Sequence, residues 1–387
     1  MDFNSYHSYK QNGTLTTRVV CAVCFCVFSF LWLFEFQADV LAVAQHVLSG
    51  GVTSYNPFIG AVLITVVLFL IQLIVAAFTG LYRRAHALTY LPSMLILAFL
   101  SSVNSDIDQH ISLCFWLWMA PLALLLWGGI VWAARLVLPY ENASRNGTGF
   151  FSQRTWINLF QMAVMMLGVA MLSNTNAVFH YSAHAEVALN KGDVDGALRV
   201  GQRSLETNER LTMLRVYALS LKHELGDKLF HYPVVGTRDD MLPVNHPPQL
   251  LPADTIWKHL GGRPASPMSS EVFYQLLEQD SLATAAVADY RLCGYLIDRD
   301  LDAFVRQLPR YYEVADSLPL PRHYQEALVL YRHIRTNPAI VYHHPVIDED
   351  WSDLQKLEAA YPLSTERHFK VFDRYRESYW YYYYYKQ

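Results

Sequence analysis

The chain has 387 residues, 53% of them hydrophobic and only 17% charged, where an ordinary soluble domain carries about 25% charged residues. Residues 1–175 hold only 7 of the 30 Lys and Arg and 6 of the 34 Asp and Glu, which leaves a mildly acidic remainder. A wholly soluble enzyme, a disordered chain and a nucleic-acid binder, which would need a basic face, are all disfavoured.

The first apolar run follows Lys10 and Arg18. It has the layout of a signal peptide, but bulky or charged residues (Leu33, Phe34, Glu35, Phe36) occupy the place where cleavage needs small ones. It is read as a retained first membrane helix over 19–43, after a cytoplasmic segment 1–18. Four more stretches, 57–82, 87–104, 111–134 and 156–179, are apolar over about the 20 residues needed to cross a 30 Å hydrocarbon core. The connections alternate in Lys and Arg content. Lys10 and Arg18, then Arg83 and Arg84, then Arg135, Arg145 and Arg154 mark one side, while 44–56 and 105–110 have none. The positive-inside rule gives five spans over 19–179, a cytoplasmic N-terminus and everything beyond about 180 outside, in the periplasm of a bacterium. Asn142-Ala-Ser and Asn146-Gly-Thr match the glycosylation pattern but fall on the inner side.

Beyond residue 180 the pattern is helical. Gly192-Asp193 and Gly226-Asp227 each follow a helical run and lie 34 residues apart. This resembles the tetratricopeptide repeat, two antiparallel helices in about 34 residues, with Ala185, Ala188, Ala197, Gly201 and Ser204 as close-contact positions. A glycine at such a helix end supplies the left-handed residue without steric cost. The segment 231–268 carries seven prolines and reads as an irregular connector or lid. Beyond it, 281–297 forms a helix, and Asp300-Leu-Asp-Ala-Phe repeats the Gly192 turn with one residue fewer. The helix 305–315 is interrupted by Pro309, and another helix begins after Pro321. Helical pairs must stack to bury their faces, so 180–230 and 270–335 should share one short solenoid, the latter within a helical-repeat domain over 269–387 that ends in the aromatic tail. The expected fold is all-α: five transmembrane helices followed by a tetratricopeptide-like solenoid.

The Gly192 and Gly226 turns, Pro321-Arg-His-Tyr-Gln-Glu-Ala-Leu and the closing run of tyrosines make the chain similar to uncharacterised inner-membrane proteins of the Bacteroidota type with a tetratricopeptide-like periplasmic domain. That resemblance carries no activity. The repeat implies a partner-binding surface by analogy, with Tyr217, Tyr290, Tyr295 and Tyr324 as aromatic anchors.

Other chemistry is sparse. Glu35 and Asp39, four apart, would share a helix face near the outer boundary, where a relay is conceivable but a water-exposed helix end is the simpler reading. His180 and His184 share a helical spacing that suits zinc, but no glutamate or third ligand accompanies them. His343 and His344 with Asp348, Glu349 and Asp350 read as solvated, as does the isolated Gly261-Gly262 pair. Cys21 and Cys24 read as small helix residues, and no nucleophile elbow is present. No catalytic residue, metal or cofactor is assigned. The Tyr379–Tyr385 run has more rings than one helix face can bury and suits either packing or a membrane or partner interface. The leading expectation is a scaffold docking a protein or peptide partner of the envelope. The rival is a membrane enzyme or transport subunit handling a lipid-linked or envelope glycan with Glu35, Asp39 and His46.

Overall fold

A computed structural model describes residues 3–107, 114–137, 151–315 and 318–386, with side chains from residue 15 onward. Arg145, His110 and the two Asn-x-Ser/Thr sites lie outside the described residues. Every regular element among the described residues is helical, and the chain divides into two units, Met1–Asn176 and Ala177–Gln387.

In the first unit α1 (Phe3–Leu31) runs into a π-helical turn, Trp32–Phe36, followed by α2 (Ala38–Leu48). Next come α3 (Pro57–Thr79), a 3-10 stretch (Arg83–Tyr90), α4 (Leu91–Leu100), α5 (Cys114–Val137) and α6 (Gln153–Leu172). Four helices, Leu15–Phe36, Pro57–Thr79, Cys114–Val137 and Gln153–Leu172, are long and apolar enough to cross a membrane. Their outer faces leave Phe78, Trp118 and Leu125 more than 70% exposed, a pattern that water disfavours and lipid does not.

The expected spans take different bounds, with α3 ending at Thr79 and α5 running on to Val137, and three change further. The first is not continuous to 43, because the chain breaks at Gln37, whose φ of −114° ends the π turn. The last stops at Leu172, and Phe179 belongs to the second unit. The 87–104 stretch holds an α-helix of only ten residues behind eight 3-10 residues. Pro92 near the start of α4 offers no N–H, and the preceding turn tightens. The Leu88 carbonyl accepts instead from the Leu91 N–H and from Trp127 Nε1 at 2.8 Å. Asn158 on α6 holds the same stretch. It accepts the Ala87 N–H at 2.7 Å and donates to the Arg83 and Arg154 carbonyls at 2.7 and 2.8 Å. Arg135 closes α3 by donating to the Phe78 and Thr79 carbonyls beside Gly80, which takes φ +60°.

The second unit contains α7 (Ala177–Asn190), α8 (Val194–Arg199), α9 (Glu209–Leu221), α10 (Leu225–Lys228), α11 (Ala253–Leu260) and α12 (Ser270–Gln279). It continues with α13 (Ala286–Ile297), α14 (Leu301–Tyr311), α15 (Arg322–Ile334), α16 (Pro345–Ala360), α17 (Ser364–Tyr375) and α18 (Tyr379–Tyr385). One hydrophobic core runs from Ala185 to Tyr382, so both helical parts pack together. The proline-rich connector is no lid. It sends Val234, Met241, Leu251, Ile256 and Trp257 into that core, and Glu186 on α7 accepts its Gln249, Leu250 and Leu251 N–H groups.

In the second unit four helices end in the same left-handed turn. Gly192, His223, Ser281 and Arg299 have φ of +79°, +56°, +56° and +60°. The next residue's N–H reaches back five positions in each case, at 2.8–3.0 Å, which is the Schellman arrangement. The Asp193 and Asp300 side chains then each cap the following helix, as the matching Gly192 and Asp300 segments suggested. The 34-residue register is corrected, because the counterpart of Gly192 is His223. Gly226 lies inside α10, where a Cβ would come within 2.7 Å of Pro321 and 2.9 Å of Tyr324. The second helices α8 and α10 have only six and four residues.

Candidate functional site

The four expected aromatic anchors are core residues. Tyr217, Tyr290, Tyr295 and Tyr324 are 5%, 0%, 3% and 0% exposed, so none can seat a partner. Sequence spacing showed tyrosines on helices but not that neighbouring helices cover both faces. The hydroxyls of Tyr324 and Tyr295 are used internally, while that of Tyr290 is buried without a hydrogen-bond partner. Tyr324 donates to Asp289 at 2.8 Å, and Tyr295 donates to Glu271 at 2.7 Å within a cluster around the buried Arg291, which pairs with Glu271 and Glu278. Tyr217 packs edge-on against His259.

Glu35 and Asp39 do not share a continuous helix face. Glu35 is exposed in the π turn, and Asp39 is half-buried in the first turn of α2. An apolar cavity of about 480 Å³ opens in the first unit among α2, α3, α4 and α5, lined by Leu41, Gln45, Tyr55, Phe99, Asn104 and Trp116. Glu35, Asp39 and His46 are not among its lining residues. His343 contacts Arg332 and lies 3.5 Å from Asp348, while His344 caps α16. His180 and His184 sit one turn apart on α7. Among the described residues no three metal-capable side chains converge.

The second unit does carry a cleft that the sequence did not indicate. Gly201, at φ +61°, stops the chain after α8, and a Cβ there would meet the Tyr181 ring at 2.8 Å. The segment 202–205 forms the first wall, 230–233 the second, and α17 and α18 the third. The cleft encloses about 200 Å³ between Phe230, Tyr232, Phe372, Tyr381 and Tyr382. Arg203, Arg376 and Lys386 line it, and no carboxylate does among the described residues. Glu377 sits beside it, 3.3 Å from Arg376 and 3.8 Å from His231.

The field at the cleft is positive. Lys386 donates to the Val234 carbonyl and lies 5.5 Å from the Tyr382 ring centroid. Burial first, then the Arg299 and Arg215 charges, lower its pKa to about 8. Arg215, only 2% exposed, stacks 5.0 Å from the Tyr232 ring centroid. Its Nη2 reaches the Val200 and Gly201 carbonyls at 3.4 and 3.3 Å, and its Nε and Nη1 have no hydrogen-bond partner. Burial lowers the Arg215 pKa to about 10. A buried guanidinium without a carboxylate is costly. Arg215 and Lys386 lie 171 positions apart, so no local motif could have joined them.

The closing aromatics divide between packing and solvent. Tyr379, Trp380 and Tyr382 are buried while Tyr384 is half exposed. Their helix is tied down by Glu326 on α15, which accepts the Tyr379 N–H at 2.7 Å and also contacts His323 Nδ1 at 2.9 Å. The Trp380 indole donates to the Glu326 carbonyl at 2.8 Å.

Residues 265–386 match the model of a family of unknown function, DUF6057. The match covers the third wall of the cleft, the 321–328 segment and the tyrosine run, while the other two walls and the Gly192 and Gly226 segments lie outside it. No curated protein and no solved structure matches the chain.

Proposed function

We propose that this is a multi-pass protein of a bacterial inner membrane whose helical domain docks a protein or peptide partner on the outer face, in the manner of a tetratricopeptide-like scaffold. The cleft carries this reading. It joins aromatic walls to cations at an open surface, the combination in which binding energy concentrates, while the expected tyrosine anchors are buried. The outward orientation rests on five crossings. Eight 3-10 residues rising about 2.0 Å each, followed by ten α residues at about 1.5 Å, reach about 31 Å. With Arg83 and Arg84 at the inner boundary, this stretch, Arg83–Leu100, is read as the fifth span beside the four membrane-length helices. Parity then puts the domain outside, in accord with the alternating basic loops.

The test is photocrosslinking in intact cells from a reactive side chain at Leu205, on the cleft rim, with Val346 on α16 as control. The reading expects a discrete adduct from Leu205 alone. Equal products from both positions, or none, would reject it.

A second reading, a membrane subunit acting on a lipid-linked or envelope glycan, is favoured by the apolar cavity, whose Gln45, Tyr55 and Asn104 add polar groups to a greasy lining. Gln45→Leu with Asn104→Leu, both in the cavity lining, separates the two. Docking expects no phenotype from this pair and a phenotype from changes at the cleft, and membrane chemistry expects the reverse.

A further inference from the structure

The charged groups that line the cleft are all donors. The Val234 carbonyl is taken by Lys386, the Val200 and Gly201 carbonyls face Arg215, and the charged lining residues Arg203, Arg376 and Lys386 can only donate. A neutral sugar ring could use Gln202, Ser204 and His231 but would leave the three cations without a counter-charge. A carboxylate only accepts, and with two or three cationic donors it forms the stronger, charge-assisted bonds. About 200 Å³ accommodates one side chain rather than an oligomer. The rim adds apolar surface at Leu205, 66% exposed, and at half-buried Phe372, which suits an aliphatic neighbour of the charged residue. Arg215, 98% buried and stacked on the Tyr232 ring, does not line the cleft but adds a positive charge behind its wall.

We propose that the cleft between 202–205, Tyr232 and the end of α18 receives an acidic side chain of a partner polypeptide, seated between Arg203, Arg376 and Lys386 with an aliphatic neighbour on Leu205 and Phe372. This rests on the docking reading and specifies what the partner presents.

The test uses the full chain in detergent micelles at physiological ionic strength. The probe is a hexapeptide of alternating leucine and glutamate with a neutral fluorophore, followed by anisotropy. The same peptide with glutamine should bind at least about tenfold more weakly. Arg203→Ala with Arg376→Ala, both on exposed side chains, should weaken the acidic peptide by a similar factor at an unchanged melting temperature, and Lys386→Met should do likewise. Arg203→Lys should keep most of the affinity. Absent binding, equal affinity for the glutamine peptide or indifference to the double variant would overturn the proposal. So would displacement by glucuronate at equal concentration, which would assign the cleft to a sugar acid. A Leu205 adduct that persists in the double variant would leave docking standing and remove only this inference.

Discussion

A histidine and a glycine three residues apart show how differently backbone positions act in this chain. At His223 the left-handed conformation is forced on a residue with a Cβ, at a cost of about 1–2 kcal/mol. The side chain is exposed, so His223→Gly should raise thermal stability by up to about 1 kcal/mol once the added freedom of the unfolded chain is subtracted. Gly226 has ordinary dihedrals but no room. Gly226→Ala should cost about 1–3 kcal/mol by pressing Pro321 and Tyr324 apart, and calorimetry of the two variants should show opposite signs. Glu186 poses an electrostatic question of its own. It is 1% exposed, and burial raises its pKa from 4.5 to about 7 against the pull of the three connector N–H groups and Arg210. A pKa raised by folding means that the folded state favours the proton. The contribution is therefore full below about pH 4.5 and is lost as pH rises to about 7, an effect on the order of a few kcal/mol. Wild-type stability measured against Glu186→Gln should fall across that window, and a flat difference curve would show that the carboxyl titrates normally.

At the scale of elements, long-range polar contacts hold what local propensity leaves weak. The 3-10 stretch before α4 is longer than such helices usually run and is kept in place by Asn158. Asn158→Leu strips the Ala87 N–H of its acceptor and should cost about 1–3 kcal/mol, read as a lower melting temperature in detergent. The seven-residue α18 would not be stable alone. It is held by the Glu326 carboxylate at its N-terminus and by Trp380, which meets Trp351 edge-on with ring centroids 5.2 Å apart. Trp380→Ala should cost about 3–5 kcal/mol, whereas Tyr384→Ser, half exposed, should stay within about 0.5 kcal/mol. Equal losses would mean that the tyrosine run stabilises as a block.

At the scale of the whole molecule the open quantity is the number of crossings, because its parity sets the side on which the helical domain lies. If Arg83–Leu100 spans, a cysteine at Ser105 in a cysteine-free background reacts with a membrane-impermeant maleimide added outside, and one at Arg83 does not. Reaction at both positions, or at neither, would leave four spans and put both chain ends on one side. A reporter fused after Lys386 should give the outside signal when five spans hold.

Much of the architecture was legible in the chain itself. Continuous apolar runs mark membrane-length helices because the bilayer sets a length that composition alone can meet. The Gly192 and Asp300 turns were visible because a left-handed residue and a capping aspartate act within five positions. What lay beyond that range was decided by the tertiary structure. The 34-residue spacing of two glycines suggested a repeat, yet one glycine serves a turn and the other a close contact with a helix about 95 residues away. Tyr217, Tyr290, Tyr295 and Tyr324 sit on helices that neighbours enclose on all sides, and no local period distinguishes such a ring from an exposed one. The cleft joins Arg203, Tyr232, Arg376 and Lys386, with Arg215 stacked on Tyr232, and these come together only after the core from Ala185 to Tyr382 has closed. Hydropathy and turn chemistry are short-range and can be read along the chain, whereas burial and charge clustering depend on which distant segments pack together.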